Sequence, residues 1–200
     1  MEGGVVAESV YVFQFKIELR GIEPAIWRRI RVAGDASLWD LHVAIQDAMG
    51  WQDCHLHVFS FLGTRDKVGT PLDDDIGSSQ ILPGWKRKVD KYLSHHAPLG
   101  LYEYDFGDSW LHEIRFEGAF RRAKRSTYPR CLAGARRCPP ENSGGPSGYA
   151  EFLKAISNPK HRKHDFLMQW AGGSFDPEEF NPRKVRFSDP EERWRQTFGS

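Results

Sequence analysis

Two histidines that stand two residues apart in an apolar run have a spacing that suits a shared metal ion. If residues 55–62 form a strand, the rings of His55 and His57 leave the same face, with Cα atoms roughly 6.5–7 Å apart. Imidazole nitrogens and cysteine thiolates are ligands that zinc prefers. We therefore predict a divalent-metal site, with zinc as the expected ion, from His55, His57, His112, Cys131 and Cys138. The competing interpretation is a set of hydrogen-bonded histidines and buried thiols, since the Cys-x6-Cys spacing is wider than in common zinc modules.

Acidic residues and a histidine bracket one predicted turn, where they could carry out acid–base chemistry. Asp105 and Asp108 lie in the turn, and His112 lies in the strand that follows. These three are the candidate catalytic residues, because a carboxylate and an imidazole can transfer protons or bind a metal ion. The alternative is a turn whose Asp side chains bond only to their own backbone. Unpaired buried polar groups are costly, so we expect these residues and the predicted metal ligands to converge on one site.

The stretch 115–137 is the most basic part of the chain. It holds eight Lys and Arg residues against one Glu, a local net charge of +7 in a chain of net charge +1. With its interleaved aromatic residues it could contact phosphates and stack on bases, whereas the alternative is a solvated loop that faces surface carboxylates. The predicted nucleic-acid-binding or partner-binding residues are Arg121, Arg122, Lys124, Arg125, Arg130, Arg136, Arg137 and Trp110.

Composition limits the class of protein further. The 200 residues contain 28 Lys and Arg against 27 Asp and Glu, which excludes a globally basic nucleic-acid protein. Three cysteines are too few for a disulfide scaffold and fit a reducing compartment. No stretch approaches the roughly 18 consecutive apolar residues of a spanning helix, and the start of the chain lacks a basic signal-peptide region. The sequence therefore predicts a cytoplasmic protein with no membrane partner.

Signatures of several enzyme classes are missing from the sequence. It contains no Gly-x-x-x-x-Gly-Lys-Ser/Thr loop, no Gly-x-Gly-x-x-Gly after a strand, no His-Glu-x-x-His and no Gly-x-Ser-x-Gly. Nucleotide-binding enzymes of the standard types, zincins and nucleophile-elbow hydrolases are therefore not indicated.

Apolar periodicity predicts the elements that position these side chains. Period-two or continuous apolar patterns predict strands at 10–20, 26–33, 55–63, 99–105 and 110–117, and their short connections favour antiparallel pairing. Ser37 as an N-cap and Gly50 as a stop delimit an amphipathic helix that ends at Met49. This helix should pack on the sheet.

The rest of the chain is predicted to be loops and short helices. Surface loops are expected at 64–79 and 121–146. Helical spacing predicts two helices, in 149–156 and 166–170, and each Asp-Pro-Glu-Glu sequence, at 176–179 and 189–192, should begin another. The predicted fold class is α+β, a mainly antiparallel sheet with one central packing helix and short C-terminal helices. We expect one domain over residues 1–200, with a core at about 10–180 and a C-terminal helical extension at 181–200.

Several motifs follow one another over nearly the whole chain. They are IEPAIWRRIRV (22–32), WQDCHLHVF (51–59), YDFGDSWLHEI (104–114), YPRCLAGARRCPPE (128–141), GGPSGY (144–149) and WAGGSFDPEEF (170–180). Together they resemble the plasmid pRiA4b ORF-3-like family. The resemblance implies an α+β fold and a protein of bacterial or archaeal plasmids and mobile elements, where some members carry a resolvase-like label.

The residues themselves do not indicate recombinase chemistry. A serine recombinase needs a nucleophilic serine among arginines near its N-terminus, but Ser9 is followed directly by an amphipathic strand. A tyrosine recombinase needs a late tyrosine, and none follows Tyr149. We therefore predict a mobile-element-associated accessory protein that binds a protein or nucleic-acid partner without catalysis. The alternative is a metal-dependent hydrolase or nuclease that uses the His, Asp and Cys residues named above.

Overall fold

The computed structural model describes residues 9–71 and 80–199. The strands are β1 (Tyr11–Leu19), β2 (Ile26–Ala33), β3 (His57–Phe61), β4 (Lys67–Gly69), β5 (Ile81–Pro83), β6 (Leu99–Tyr104), β7 (Trp110–Arg121) and β8 (Arg130–Ala135). The helices are α1 (Leu38–Met49), α2 (Gly145–Ser157), α3 (His164–Trp170) and α4 (Pro190–Phe198), with 3-10 turns at 84–86, 89–91 and 182–184. Within the described residues, no helix has the length and apolar character needed to cross a membrane.

The described strands form one sheet in the order β5-β4-β3-β6-β7-β1-β2-β8. All neighbouring strands are antiparallel except β4 and β5, which are parallel. This architecture confirms the predicted α+β class with its mainly antiparallel sheet. Each of the five predicted strand segments contains a strand, although β3 begins at His57 rather than at residue 55.

Three short strands, β4, β5 and β8, were not predicted. β8 lies inside the segment 121–146, which was expected to be a loop, and it pairs with β2 at the edge of the sheet. Its sequence, RCLAGA, lacks an alternating apolar pattern. The strand is instead packed against the segment that contains Phe180. A Cβ atom at Gly134 would clash with the ring of Phe180 and lie 2.7 Å from the Trp27 carbonyl oxygen, so this strand needs glycine for close packing. In the predicted loop 64–79, residues 67–69 form β4, whereas 72–79 lie outside the described residues.

One predicted helix start is wrong. No helix begins at Asp176, because the segment is held by contacts to the end of β8: Arg136 Nε donates to Glu178 at 2.7 Å, and the Arg137 N–H donates to the Pro177 carbonyl at 2.9 Å. The second Asp-Pro-Glu-Glu sequence does begin a helix. The Asp189 carboxylate accepts from the first backbone N–H groups of α4, as the pattern predicts.

Helix α1 covers the apolar face of the sheet. Ser37 and Asp40 form a capping box at its start, and Gly50 ends it in the left-handed conformation with φ 88°. Ten of its 12 residues are buried. A helix buried on nearly all sides must satisfy any polar side chain it carries inside the protein.

The hydroxyl of Tyr102 satisfies two polar side chains of α1. Gln46 Nε2 donates to this hydroxyl at 2.8 Å, and His42 Nδ1 lies 2.9 Å from it. Tyr102 belongs to β6, and all three side chains are fully buried. These bonds fix α1 in register with the centre of the sheet.

We predict that Tyr102→Phe lowers the free energy of unfolding by about 2–6 kcal/mol. The substitution leaves polar atoms of His42 and Gln46 buried without a partner, at about 1–3 kcal/mol for each group. Urea denaturation followed by circular dichroism measures the loss. Tyr11→Phe is the matched control, because Tyr11 is 57% exposed and should tolerate the change. Equal stability of the two variants would contradict the role assigned to the Tyr102 hydroxyl.

Candidate metal centre

The loop at residues 50–56 connects α1 to β3 and is fixed by contacts to other segments. Trp51 Nε1 donates to the Pro139 carbonyl at 2.9 Å. The backbone N–H of Gln52 donates to Glu141 at 2.8 Å, and that of Cys54 donates to the Tyr104 hydroxyl at 3.1 Å. The loop therefore carries Cys54 and the following histidine in a defined position.

One carboxylate oxygen of Glu141 accepts hydrogen bonds from the surrounding chain, and the other accepts none among the described residues. Oε1 accepts from the Gln52 N–H and, at 3.1 Å, from the Tyr104 hydroxyl. Burial and the neighbouring Glu141 charge raise the pKa of Tyr104, so this hydroxyl remains a proton donor. Oε2 is buried without a hydrogen-bond partner and lies 3.9 Å from His55 Nε2.

Asp105 repeats this arrangement at the end of β6. Its Oδ1 accepts from the backbone N–H of Gly107 at 3.0 Å and from that of Asp108 at 3.3 Å. The turn interpretation of this aspartate is therefore correct for one oxygen. Its Oδ2 lies 3.4 Å from His55 Nε2, so the histidine and the predicted catalytic carboxylate do meet.

Cys54, His55 and Glu141 offer ligand atoms that all lie within 4.8 Å of one another. Among the described residues, no other set of three or more His, Cys, Asp and Glu side chains meets this criterion. Ligand atoms of a tetrahedral zinc ion, with bonds of about 2.0–2.3 Å, are roughly 3.3–3.8 Å apart, so small side-chain movements would complete the geometry. Cys54 is exposed, while the His55 ring is 28% exposed, so the group opens on one side.

The other predicted histidine ligands are engaged elsewhere. His57 lies on the face covered by α1, where its ring stacks on that of His42 with centroids 3.5 Å apart. Burial, together with the charge of the neighbouring His42, holds the pKa of His57 well below its usual value. His112 Nδ1 lies 3.2 Å from the Tyr102 carbonyl, and burial lowers the pKa of His112 to about 4. His57 and His112 thus share a sheet face, and both rings contact Tyr102.

The two predicted cysteine ligands are also separate from the group. Cys138 is buried with its sulfur 3.3 Å from that of Met49, and burial raises the pKa of this thiol to about 11. Cys131 donates to the Ala133 carbonyl at 3.6 Å, and burial raises its pKa as well. A metal binds the thiolate, so these environments do not favour coordination. Of the predicted ligands, only His55 belongs to the group.

Sequence reasoning missed two of the three group members. His55 precedes β3, so it does not share a strand face with His57, and the expected pair does not form. Cys54 could have been found as the neighbour of a candidate ligand. Glu141 follows Pro139 and Pro140 in a loop, where no periodic pattern indicates which way a side chain points.

Two further predicted site residues have structural contacts. Asp108 accepts the Gly144 N–H at 2.9 Å, just before α2. Trp110 is fully buried, with its ring 6.0 Å from that of Trp51. The prediction that Trp110 anchors a partner is therefore wrong, because its side chain is not at the surface.

The predicted basic surface is smaller than the sequence indicates. Arg136 is buried, pairs with Glu178 and donates to the Pro24 carbonyl at 2.6 Å. Arg137 lies 3.8 Å from Glu179 and stacks over the ring of Phe175. These two arginines join β8 to the chain that follows α3. The predicted residues that remain exposed are Arg121, Lys124, Arg125 and Arg130.

A charged network connects the loop at 50–56 to the C-terminal helix. Asp53 Oδ1 lies 2.9 Å from His42 Nε2, and Asp53 Oδ2 lies 3.4 Å from Arg193 of α4. Burial alone would raise the pKa of Asp53, but His42 and Arg193 outweigh it and the pKa lies below its usual value. Arg193 also pairs with Asp47 at 2.8 Å.

The chain belongs to the plasmid pRiA4b ORF-3-like protein family, whose model matches residues 11–184. This match confirms the family predicted from the motifs. The uncharacterized protein y4hQ of Sinorhizobium fredii (strain NBRC 101917 / NGR234) is 37% identical over 164 residues, 82% of each chain. The crystal structure of MM3350, a protein of unknown function from Methanosarcina mazei Go1, is similar with a TM-score of 0.81 and 38% identity, over 88% of this chain and 98% of that one. Neither relative's name states an activity.

We predict that His112 makes the protein less stable as the pH falls from 7 to 5. Its pKa is about 4 in the folded chain and about 6.5 when unfolded, so the unfolded state takes up the proton first. Folding stability is therefore lost below about pH 6.5, by about 2 kcal/mol at pH 5. Urea denaturation of His112→Asn at both pH values should show a pH-dependent loss smaller by that amount. His96→Asn, at an exposed histidine, is the control, and an unchanged pH dependence in His112→Asn would contradict the prediction.

Proposed function

We propose that this protein binds a divalent transition-metal ion, with zinc as the expected ion, at Cys54, His55 and Glu141. The observation that carries the proposal is that His55 Nε2 and Glu141 Oε2, two buried atoms 3.9 Å apart, form no hydrogen bond with each other, and that Glu141 Oε2 has no other hydrogen-bond partner among the described residues. An unsatisfied buried polar group costs about 1–3 kcal/mol. A cation between the two atoms would remove this cost.

The donor set favours zinc over magnesium or calcium. Hard cations take oxygen ligands, whereas a thiolate, an imidazole and a carboxylate together suit a borderline-soft ion. Tyr104 supports the set, because its hydroxyl contacts both the Cys54 backbone and the Glu141 carboxylate. A hydrogen bond that orients a ligand typically strengthens metal binding.

Asp105 takes one of two roles beside this ion. If His55 binds through Nε2, then Asp105 Oδ2, at 3.4 Å from that nitrogen, is close enough to serve as a fourth ligand. If His55 binds through Nδ1, then Nε2–H donates to Asp105, in the carboxylate–histidine–metal arrangement that fixes the ring of a ligating histidine. In both cases the hydrogen bond from the Gly107 N–H to Asp105 Oδ1 orients the carboxylate.

The reaction class that fits such a centre best is hydrolysis. Catalytic zinc sites keep three protein ligands and an open position for water, and the metal lowers the pKa of that water to about 7. In this protein three candidate ligand side chains lie close together, and one of them, Cys54, is exposed to solvent. The competing role is a non-catalytic accessory protein in which the same ion only stabilises the fold.

We predict one tightly bound zinc ion per chain after the purified protein is loaded with zinc and dialysed. Elemental analysis gives the stoichiometry, and competition with a chromogenic chelator gives the affinity. His55→Ala and Glu141→Gln should each lower the affinity by at least about tenfold, and Tyr104→Phe by about 10–100-fold, because it releases the Glu141 carboxylate. Cys131→Ser and His96→Ala are matched controls that should bind zinc normally.

Two outcomes would contradict the metal site. The first is wild-type protein that remains metal-free, with its melting temperature unchanged by zinc, which would mean that His55 only contacts Asp105 and Glu141. The second is unchanged affinity in His55→Ala. Turnover of bis(p-nitrophenyl) phosphate or p-nitrophenyl acetate that requires zinc would support hydrolysis, and a zinc-loaded protein without turnover would favour the accessory role.

A second candidate function is binding of a polyanionic partner such as a nucleic acid. The observation that favours it is two arginine–aromatic stacks near the end of β7. Arg31 lies over the ring of Phe120 at 4.2 Å, and Arg122 lies over that of Tyr128 at 5.2 Å. Phe120 is 37% exposed, and cationic residues beside an exposed ring can contact phosphates and stack on bases.

We predict that a single-stranded oligonucleotide binds this surface with an affinity that falls steeply as salt increases. Fluorescence anisotropy at several salt concentrations gives the slope, which should decrease by roughly 0.7 for each phosphate contact removed. The triple variant Arg121→Gln, Arg125→Gln, Arg130→Gln tests the surface. Arg115→Gln is the control, because Arg115 pairs with Glu113 at 2.9 Å. Equal slopes for wild type and the triple variant would contradict this function.

A further inference from the structure

An open cavity of about 500 Å³ lies where β2, the end of α1 and the segment 170–186 meet. Its volume falls in the range of about 300–1,000 Å³ that is typical of small-molecule sites. Neither the metal centre nor the basic surface accounts for it. Three properties of its lining indicate the chemistry of a ligand: a buried cation, an excess of positive charge and aromatic walls.

The buried cation is Arg28, which is 1% exposed. Its guanidinium donates to the carbonyls of Ala48, Trp27 and Ala135, each at 2.8 Å. The ring of Phe180 packs over the guanidinium, with its centroid 3.8 Å from the Arg28 Cζ atom. Among the described residues no carboxylate forms an ion pair with Arg28, although buried arginines are usually paired with an acid. The floor of the cavity therefore carries a positive charge without a counter-charge.

The charges around the opening add to that of Arg28. Arg137, Lys184 and Arg186 line the cavity, against the carboxylates of Asp47 and Glu179. Glu179 is shared between Lys184 at 3.3 Å and Arg137 at 3.8 Å. Arg186 donates to the backbone carbonyls of Arg183 and Val185, and no carboxylate of the described chain pairs with it. The lining therefore has four cationic groups against two anionic ones, which favours an anionic ligand.

The carboxylate of Asp47 adds little negative charge to the opening, because it is paired with a cation outside the cavity. It is paired with Arg193 of α4 at 2.8 Å, and it accepts the Ser188 N–H at 2.7 Å. Its negative charge is thus already matched by a cation that does not line the cavity.

Aromatic rings form the walls. The aromatic residues that line the cavity are Trp51, Trp170, Phe175 and Phe180. Trp170 is 42% exposed, although its ring meets that of Phe152 edge to face with centroids 5.7 Å apart. An exposed indole beside a cavity offers a flat apolar surface on which a planar ring can stack. Arginine and lysine at the opening can bind a phosphate group of the same ligand.

We propose that this cavity binds a small organic anion that combines a planar ring with a phosphate, a ligand of the nucleoside monophosphate class. The ring stacks on the aromatic wall at Trp170, and the phosphate contacts Lys184 and Arg186 at the opening. The positive charge of Arg28 below the floor strengthens the attraction without direct contact. This site does not depend on the metal centre.

Calorimetric titration of the full-length protein with AMP, in the presence of EDTA, tests the proposal. Adenosine and inorganic phosphate are titrated in parallel, so that the contributions of the ring and of the phosphate are separated. AMP should bind at least about tenfold more tightly than either, which is the gain expected from one charge-assisted hydrogen bond. Quenching of tryptophan fluorescence by AMP should accompany binding and be reduced in Trp170→Leu.

Variants at the opening locate the site. Lys184→Gln and Arg186→Gln should each weaken AMP binding by about tenfold or less, and together by more. Arg183→Gln is the matched control, because it is an exposed arginine of the same segment that does not line the cavity. His55→Ala should bind AMP normally, which distinguishes failure of this site from failure of the metal centre.

Three results would overturn the proposal. They are no detectable binding of AMP at millimolar concentration, equal affinity for AMP and adenosine, and unchanged AMP affinity in the double variant at Lys184 and Arg186. Phosphate that binds as tightly as AMP would overturn the role of the aromatic wall and identify a simple anion site.

Discussion

The position of α1 on the sheet is the constraint on which the candidate sites depend. The helix is buried on nearly all sides, so its polar groups must find partners inside the protein. Tyr102 satisfies His42 and Gln46 in its middle, and Arg28 donates to the Ala48 carbonyl near its end. These bonds fix the end of α1. The helix stops at Gly50, and the loop that follows carries the candidate metal ligands Cys54 and His55. The same end of α1 contributes part of the cavity lining.

Both carboxylates near His55 are oriented before any ligand binds. Each has one oxygen held by hydrogen bonds from the surrounding chain and a second oxygen directed toward the ring. Fixing one oxygen reduces the rotational freedom that binding would otherwise remove, which is how preorganised sites gain affinity. The cost is that Glu141 Oε2 is buried without a hydrogen-bond partner among the described residues.

The sequence predicts elements whose signals are local and misses contacts that arise only in three dimensions. Strand alternation, the Ser37 cap and the Gly50 stop located β1, β2 and α1, because neighbouring residues carry that information. β8 and the segment after Asp176 depend on distant partners, which override their local patterns. His55 was identified as a candidate ligand, but a strand start two residues later separates it from His57. Arg28 lies on the same face of β2 as Ile26 and Ile30, so the period-two pattern that predicted β2 also predicts that Arg28 is buried.

The C-terminal helix α4 lies outside the residues that match the family, yet it contributes a charge to the loop at residues 50–56. The matched residues end at 184, whereas Arg193 of α4 reaches back to Asp53, one residue before Cys54. A relative whose chain stopped where the match stops would lack this arginine, and Asp53 would then keep only its contact with the His42 ring. Chain length alone would then alter the electric field at the loop that carries Cys54 and His55, without any substitution in that loop.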